Sequence, residues 1–141
     1  MIRQLAHICL HTKKVHEMVS FYTDTLGLKV QFTLENEENI TFGYYIACGN
    51  QTFMEIFDHV MANKKWGDGK VEDLICGNIY KHLCFQVDNI EEFVSASRKK
   101  GLQISDVRVG MDNSKQAWIS DPDGNAIELM EYTEKSRQLQ K

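Results

Sequence analysis

The sequence predicts an α+β fold made of two copies of a βαβββ module with curved mixed sheets. Three observations carry that expectation. The stretch HICLHTKKVHEMVS (His7–Ser20) returns seventy-five positions later as HLCFQVDNIEEFVS (His82–Ser95). Of nine pairs compared, five are identities (His7/His82, Cys9/Cys84, Glu17/Glu92, Val19/Val94, Ser20/Ser95), and the rest exchange one apolar residue for another. The modules also close alike, on TFMEIFD with Glu55 and on AIELMEY with Glu128, so that histidine and glutamate stand 48 and 46 positions apart. Between these ends the apolar spacing changes from strand-like to helical and back in the same order. Two copies are too few for a solenoid. They imply related modules about a pseudo-twofold axis within one domain, 1–141, with a first module 1–58, a linker 59–78 and a second module 79–133.

The elements follow in order. Leu5–Leu10 is β-like. Val15, Met18, Val19, Tyr22 and Leu26 recur at helical spacing over Lys14–Thr25, and Gly27 is the stop. Strands are expected at Lys29–Leu34, Thr41–Ala47 and Thr52–Phe57, the last two joined by a turn at Gly49-Asn50. The linker is expected to hold some helix near His59–Lys65. Module two repeats the plan: a strand at Tyr80–Val87, a helix over Ile90–Lys100 stopped by Gly101, then strands at Gln103–Val109, Gln116–Ser120 and Ala126–Tyr132. Asp121-Pro122-Asp123-Gly124 marks the final hairpin. The tail from Glu134 is expected to be frayed or loosely helical.

Composition bounds the function. With a net charge of −4 over 141 residues, nucleic acid is not an expected partner. The one compact basic run, Arg98-Lys99-Lys100, falls where a helix C-terminus favours cations. No apolar run approaches the roughly 20 residues of a membrane span. MIRQLAHICL lacks a secretory signal's apolar core. Cys9, Cys48, Cys76 and Cys84 show no CxxC spacing, so buried free thiols and a cytoplasmic location are expected.

Four residues carry chemistry. Strand side chains alternate between faces. Ala6, Ile8 and Leu10 therefore face the helix while His7 and Cys9 face away. Met54 and Ile56 likewise oppose Phe53, Glu55 and Phe57. The same parity sets His82 and Glu128 apart from Leu83, Phe85, Val87, Ile127 and Leu129. An unpartnered buried carboxylate is costly. Two imidazoles and two carboxylates sharing a concave face would satisfy one another best around a divalent cation of the Ni, Co, Zn, Mn or Fe kind. Phe53, Phe57 and Met130 share this parity and are expected to wall a substrate pocket, with His11 at its edge. Trp118 is expected in the core and His16 in solvent.

The segments LAHICL, FYTDTLGLKV, FMEIFD, YKHLCFQVDN and DPDGNAIELMEY resemble the vicinal oxygen chelate superfamily, which includes glyoxalase I, extradiol dioxygenases and methylmalonyl-CoA epimerase. The resemblance runs from Leu5 to about Tyr132. It implies paired βαβββ modules forming a cleft around one divalent metal, Ni2+ or Co2+ before Zn2+ or Mn2+, and a homodimer acting on a small molecule. In the glyoxalase branch the ligands run His, Glu, His, Glu, matching His7, Glu55, His82 and Glu128. Glu55 and Glu128 are the candidate catalytic carboxylates, moving a proton through a metal-stabilised enediolate of an α-oxo (hemi)thioester-type substrate. Two departures stand out. The arginine that helps bacterial glyoxalases hold glutathione is replaced by His11, with Lys13 and Lys14 nearby. The asparagine expected after the second ligand is His59. An epimerase-like isomerase and a metal-free antibiotic-binding protein are the alternatives.

Overall fold

The structure is a computed structural model that describes residues 5–67, 73–74 and 81–140. Cα packing divides the chain into two compact units, Met1–Ile75 and Cys76–Lys141. In the first unit β1 (His7–Thr12) leads to α1 (Val15–Ser20), which runs on as a π-helical turn over Phe21–Thr25. Then come β2 (Lys29–Glu35), β3 (Thr41–Ala47), β4 (Phe53–Asp58) and α2 (His59–Trp66). The second unit holds β5 (His82–Gln86), α3 (Ile90–Lys99), β6 (Arg108–Val109), β7 (Lys115–Ser120) and β8 (Ala126–Glu131). Each unit is a βαβββ module with a four-stranded mixed sheet, ordered β1-β4-β3-β2 and β5-β8-β7-β6. Residues 68–72 and 75–78 of the expected linker, Cys76 among them, and the expected start of the second module at 79–80 lie outside the described residues.

The first and last strands of each module pair in parallel, β1 with β4 and β5 with β8, and the remaining pairs are antiparallel. A parallel pair needs a long crossover, which α1 and α3 begin. In the first unit Val15, Met18 and Tyr22 of α1 are buried, as are Ile46, Met54 and Ile56. In the second, Ile90 and Val94 of α3 are buried with Ala117, Ile119, Ile127 and Leu129. Each such side chain withdrawn from water stabilises by about 1.5–3 kcal/mol, less for alanine. Both helices end on a glycine in the left-handed region, Gly27 at φ +77 and Gly101 at φ +83.

The helix expected within the linker is α2. Asp58 caps it by accepting from Met61 N at 2.9 Å. Its Ala62 forms a cluster with Phe42 and Phe57, against which Leu34, Tyr45 and Met61 pack. Phe57 therefore lies in packed protein, 3% exposed. Its ring crosses Gly43, where any Cβ would overlap it.

α3 has two caps. Asn89 accepts from Glu92 N at 3.1 Å, and the Glu131 carboxylate accepts from Ile90 N at 2.7 Å while pairing with Lys115 Nζ at 3.2 Å. The Ile90 amide first, then Lys115, holds the Glu131 carboxyl below its ordinary range. Because the folded pKa is depressed, the stabilisation is present above the unfolded value and disappears as pH falls through the folded one. Glu131→Gln should cost about 0.5–1 kcal/mol at neutral pH. Denaturant melts of the two proteins should converge in acid.

One of the strand expectations is corrected. Of the strand expected at Gln103–Val109 only Arg108–Val109 forms a ladder. Ser105 N donates to Trp118 O at 3.0 Å, but Trp118 N donates to the Ser105 hydroxyl at 2.9 Å. A side chain thus takes the place of a backbone acceptor and breaks the ladder. Arg98 pins the same segment through Ile104 O and Asp106, at 3.2 and 2.7 Å. Of the two forms expected of the tail, the loosely helical one is found, a 3-10 turn over Arg137–Leu139. Ser136 is fully buried and its Oγ meets Ser114 Oγ at 2.8 Å. Arg137 N donates to Asp112 O at 2.8 Å, and Asn113 Nδ2 donates to Lys135 O at 3.2 Å. The segment is polar because it buries hydrogen-bonding groups against the β6–β7 turn.

Candidate metal and substrate site

The register decides which side chains meet. In the first unit Cys9 stands opposite Glu55 across the parallel pair, and His7 opposite Phe53. On the other side of β4, Tyr45 stands opposite Glu55. His7 Nε2 lies 3.5 Å from Glu55 Oε1. The second unit repeats this arrangement, with Cys84 and Trp118 opposite Glu128. His82 Nε2 lies 3.3 Å from Glu128 Oε2.

The members of each pair differ in exposure. Glu55 and Glu128 are 7% and 5% exposed. The side chains of His7 and His82 are 52% and 40% exposed. Each carboxylate is thus sunk in the sheet with an accessible imidazole beside it. Glu128 Oε1 is buried with no hydrogen-bond partner among the described residues. Leaving such an oxygen unpaired costs about 1–3 kcal/mol, more for a charged group, and a cation would remove that cost. Nitrogen and carboxylate donors are the set that borderline divalent ions accept. The residues fit such an ion. Among the described residues no group of three or more His, Cys, Asp or Glu side chains is close enough to hold a metal. The two pairs are each formed within their own unit.

Cys9 and Cys84 are corrections to the expected buried thiols. Both residues are exposed; both are free thiols, and so is the half-buried Cys48. Burial, then the Glu55 charge, pushes the Cys9 thiol up to about 11. Burial and Glu128 push Cys84 up to about 12. At neutral pH both remain protonated. Trp118 is a second correction: it is 37% exposed, on the ligand face, and its ring meets His82 edge-on at 4.9 Å. Tyr45 and Trp118 are the residues sequence reasoning missed. The signal was in the turns, since the Gly49 and Asp121 hairpins set the registers that place both opposite a glutamate.

Phe53 is partly exposed beside the first pair, whereas Met130 is buried beside the second. His11 shares the face of His7, opposite Phe57. Its Nδ1 lies 3.2 Å from Nδ1 of the buried His59, and burial followed by His59 lowers its pKa. His16 is exposed.

Paired βαβββ modules, each with a histidine on its first strand and a buried glutamate on its last, define a duplicated α+β protein with one such pair in each unit. The profile of the Glyoxalase/Bleomycin resistance protein/Dioxygenase superfamily matches residues 4–129, and the chain belongs to that superfamily. It is 29% identical over 138 residues to the lactoylglutathione lyase of Salmonella typhimurium, covering 96% of this chain and 98% of that one. The fold is shared with lactoylglutathione lyase from Agrobacterium tumefaciens, at a TM-score of 0.65 and 18% identity over 91% of this chain and 92% of that one. It is shared equally with TnmS3, an antibiotic binding protein from Streptomyces, at a TM-score of 0.68 and 16% identity over 94% and 98%. No helix among the described residues is long and apolar enough to cross a membrane.

Proposed function

We propose that this protein is a glyoxalase I-like lyase that uses one divalent metal per site, Ni2+ or Co2+ before Zn2+ or Mn2+. It acts in the cytoplasm as a homodimer on an α-oxo hemithioacetal or related thioester-type substrate. The observation that carries this reading is the duplicated pair of a buried glutamate and an accessible histidine, His7 with Glu55 and His82 with Glu128. His7, Glu55, His82 and Glu128 would hold the ion, which when bound would supply Lewis acidity toward the substrate's oxygens.

The chain's own groups do the rest. One glutamate takes the proton from the carbon beside the carbonyl and returns it to the neighbouring carbon, a task that needs a carboxylate within reach of both. Burial of Glu55 and Glu128 beneath their histidines keeps water from competing for that proton. Phe53, Tyr45, Trp118 and Met130 offer apolar contact for the substrate's carbon skeleton, and His11 offers a polar contact at the edge of the first face. An epimerase-like proton transfer on an acyl thioester would use the same groups.

A second reading is a metal-free small-molecule binder, favoured by the likeness to TnmS3. Elemental analysis of untagged protein, before and after metal removal and reloading, separates the two. About one Ni, Co, Zn or Mn per site, with turnover of the methylglyoxal–thiol hemithioacetal, supports the lyase. Protein that takes up no metal on reloading is the binder.

A further inference from the structure

The two histidines are not held alike. In the second unit the Trp118 ring meets His82 edge-on, with centroids 4.9 Å apart and planes at 79°. In the first unit the same register position holds Tyr45, opposite Glu55 as Trp118 is opposite Glu128. Its ring stacks on Phe32, with centroids 4.1 Å apart and planes 20° from parallel, and among the described residues no ring contacts His7. The strand between accounts for the difference. To reach His82 on β5, the indole on β7 must cross β8, where Ala126 pairs with both His82 and Ser120. A methyl side chain leaves that path open. In the first unit the residue paired with His7 is Phe53, which sets a ring at the equivalent place.

We propose that Trp118 is the positioning residue for His82: its edge-on contact across Ala126 holds the imidazole with Nε2 beside Glu128, where a cation would bind. The inference rests on the metal-dependent reading above. Glu128 needs no such brace, because the packed sheet leaves it 5% exposed. The His82 side chain is 40% exposed, and the freedom of an exposed side chain is lost when it is fixed on a ligand. A ring already held in place loses less. Edge-on pairs with centroids about 4.5–7 Å apart are a favoured aromatic geometry, and the Trp118–His82 contact falls in that range. His7, 52% exposed and without such a partner among the described residues, is the looser of the two imidazoles.

The test compares substrate-free wild type, Trp118→Leu, Trp118→Phe and Ala126→Phe. Its readouts are Co2+ affinity, the visible spectrum of the bound Co2+, and proton NMR and thermal melting of each metal-free protein. In metal-free wild type the His82 ring protons should carry the ring-current shift of the indole beside them. Trp118→Leu should lose that shift, weaken Co2+ binding by about 2- to 10-fold and alter the Co2+ spectrum. Trp118→Phe restores an aromatic edge and should recover most of the affinity. Ala126→Phe keeps the indole but blocks its path, and should behave like Trp118→Leu. Wild-type Co2+ affinity in Trp118→Leu, even with a lower melting temperature, would overturn the assignment while leaving the lyase reading intact. Wild type that binds no Co2+ overturns the lyase reading and the positioning role with it. Should Trp118→Leu fail to fold, His82 ring protons without the ring-current shift in wild type overturn the proposal, and joint loss of shift and Co2+ affinity in Ala126→Phe supports it.

Discussion

Glu128→Gln should abolish stoichiometric metal binding and lower turnover by at least 100-fold, without lowering the melting temperature of the metal-free protein. The first part follows from the donor count, because an amide is a poor replacement for an anionic ligand. General acid–base catalysis alone contributes about 100- to 10,000-fold, and loss of the metal adds to that deficit. The second part follows from burial. Glu128 is 5% exposed, and its Oε1 is unpaired among the described residues. In the metal-free state this oxygen costs stability, and a neutral amide costs less. A group kept for packing would destabilise when changed, whereas one kept for function at the expense of stability should not. Calorimetry with and without chelator decides the matter. Wild type should melt higher when loaded, by mass action, and Glu128→Gln should melt alike in both conditions. A variant that still binds one metal per site, or that melts well below metal-free wild type, would remove Glu128 from the ligand set.

Gly43→Ala should be the most damaging single-methyl change in the first unit. Gly43 pairs with Phe57 across β3 and β4, and a Cβ there would overlap the Phe57 ring. That ring has little room to yield. It packs edge-on against Trp66 with centroids 5.2 Å apart and lies 5.9 Å from Phe42 and 6.0 Å from His11. Overpacking of this kind typically costs about 1–3 kcal/mol. The displacement would also reach His11, and through it His59 at the start of α2. Urea unfolding should show a lower midpoint with an unchanged slope. The paired variant Gly43→Ala with Phe57→Leu should recover part of the loss, because the smaller side chain makes room for the methyl. Wild-type stability in the single variant would mean that Phe57 is free to move.

Periodicity and repetition made most of the fold legible. The strand expected at Thr41–Ala47 has those bounds, and α3 ends one residue before its expected limit. β1 lies two residues later than expected, because Thr12 continues the parallel pairing as far as Asp58. Where side chains replace backbone partners, periodicity fails. The Ser105 hydroxyl interrupts a strand that alternation alone would continue, and Ser136 buries a tail that polarity alone would leave in solvent. Trp118 was misplaced for another reason. An aromatic residue on a strand suits either face, and only its pairing with Glu128 shows which one it occupies.

What the sequence determined by itself was the duplicated architecture and the alternation that sets His7, Glu55, His82 and Glu128 apart from their apolar neighbours, because a repeat and a two-residue alternation are one-dimensional properties. Which side chains surround each glutamate was decided only by tertiary structure. Cys9 and Tyr45 stand opposite Glu55, and Cys84 and Trp118 opposite Glu128, the cysteines from strands distant in the chain and the aromatics across hairpins, through registers that hydrogen bonding between strands imposes. The burial of both carboxylates was decided there too, since it arises from the packing of whole sheets rather than from neighbours in sequence.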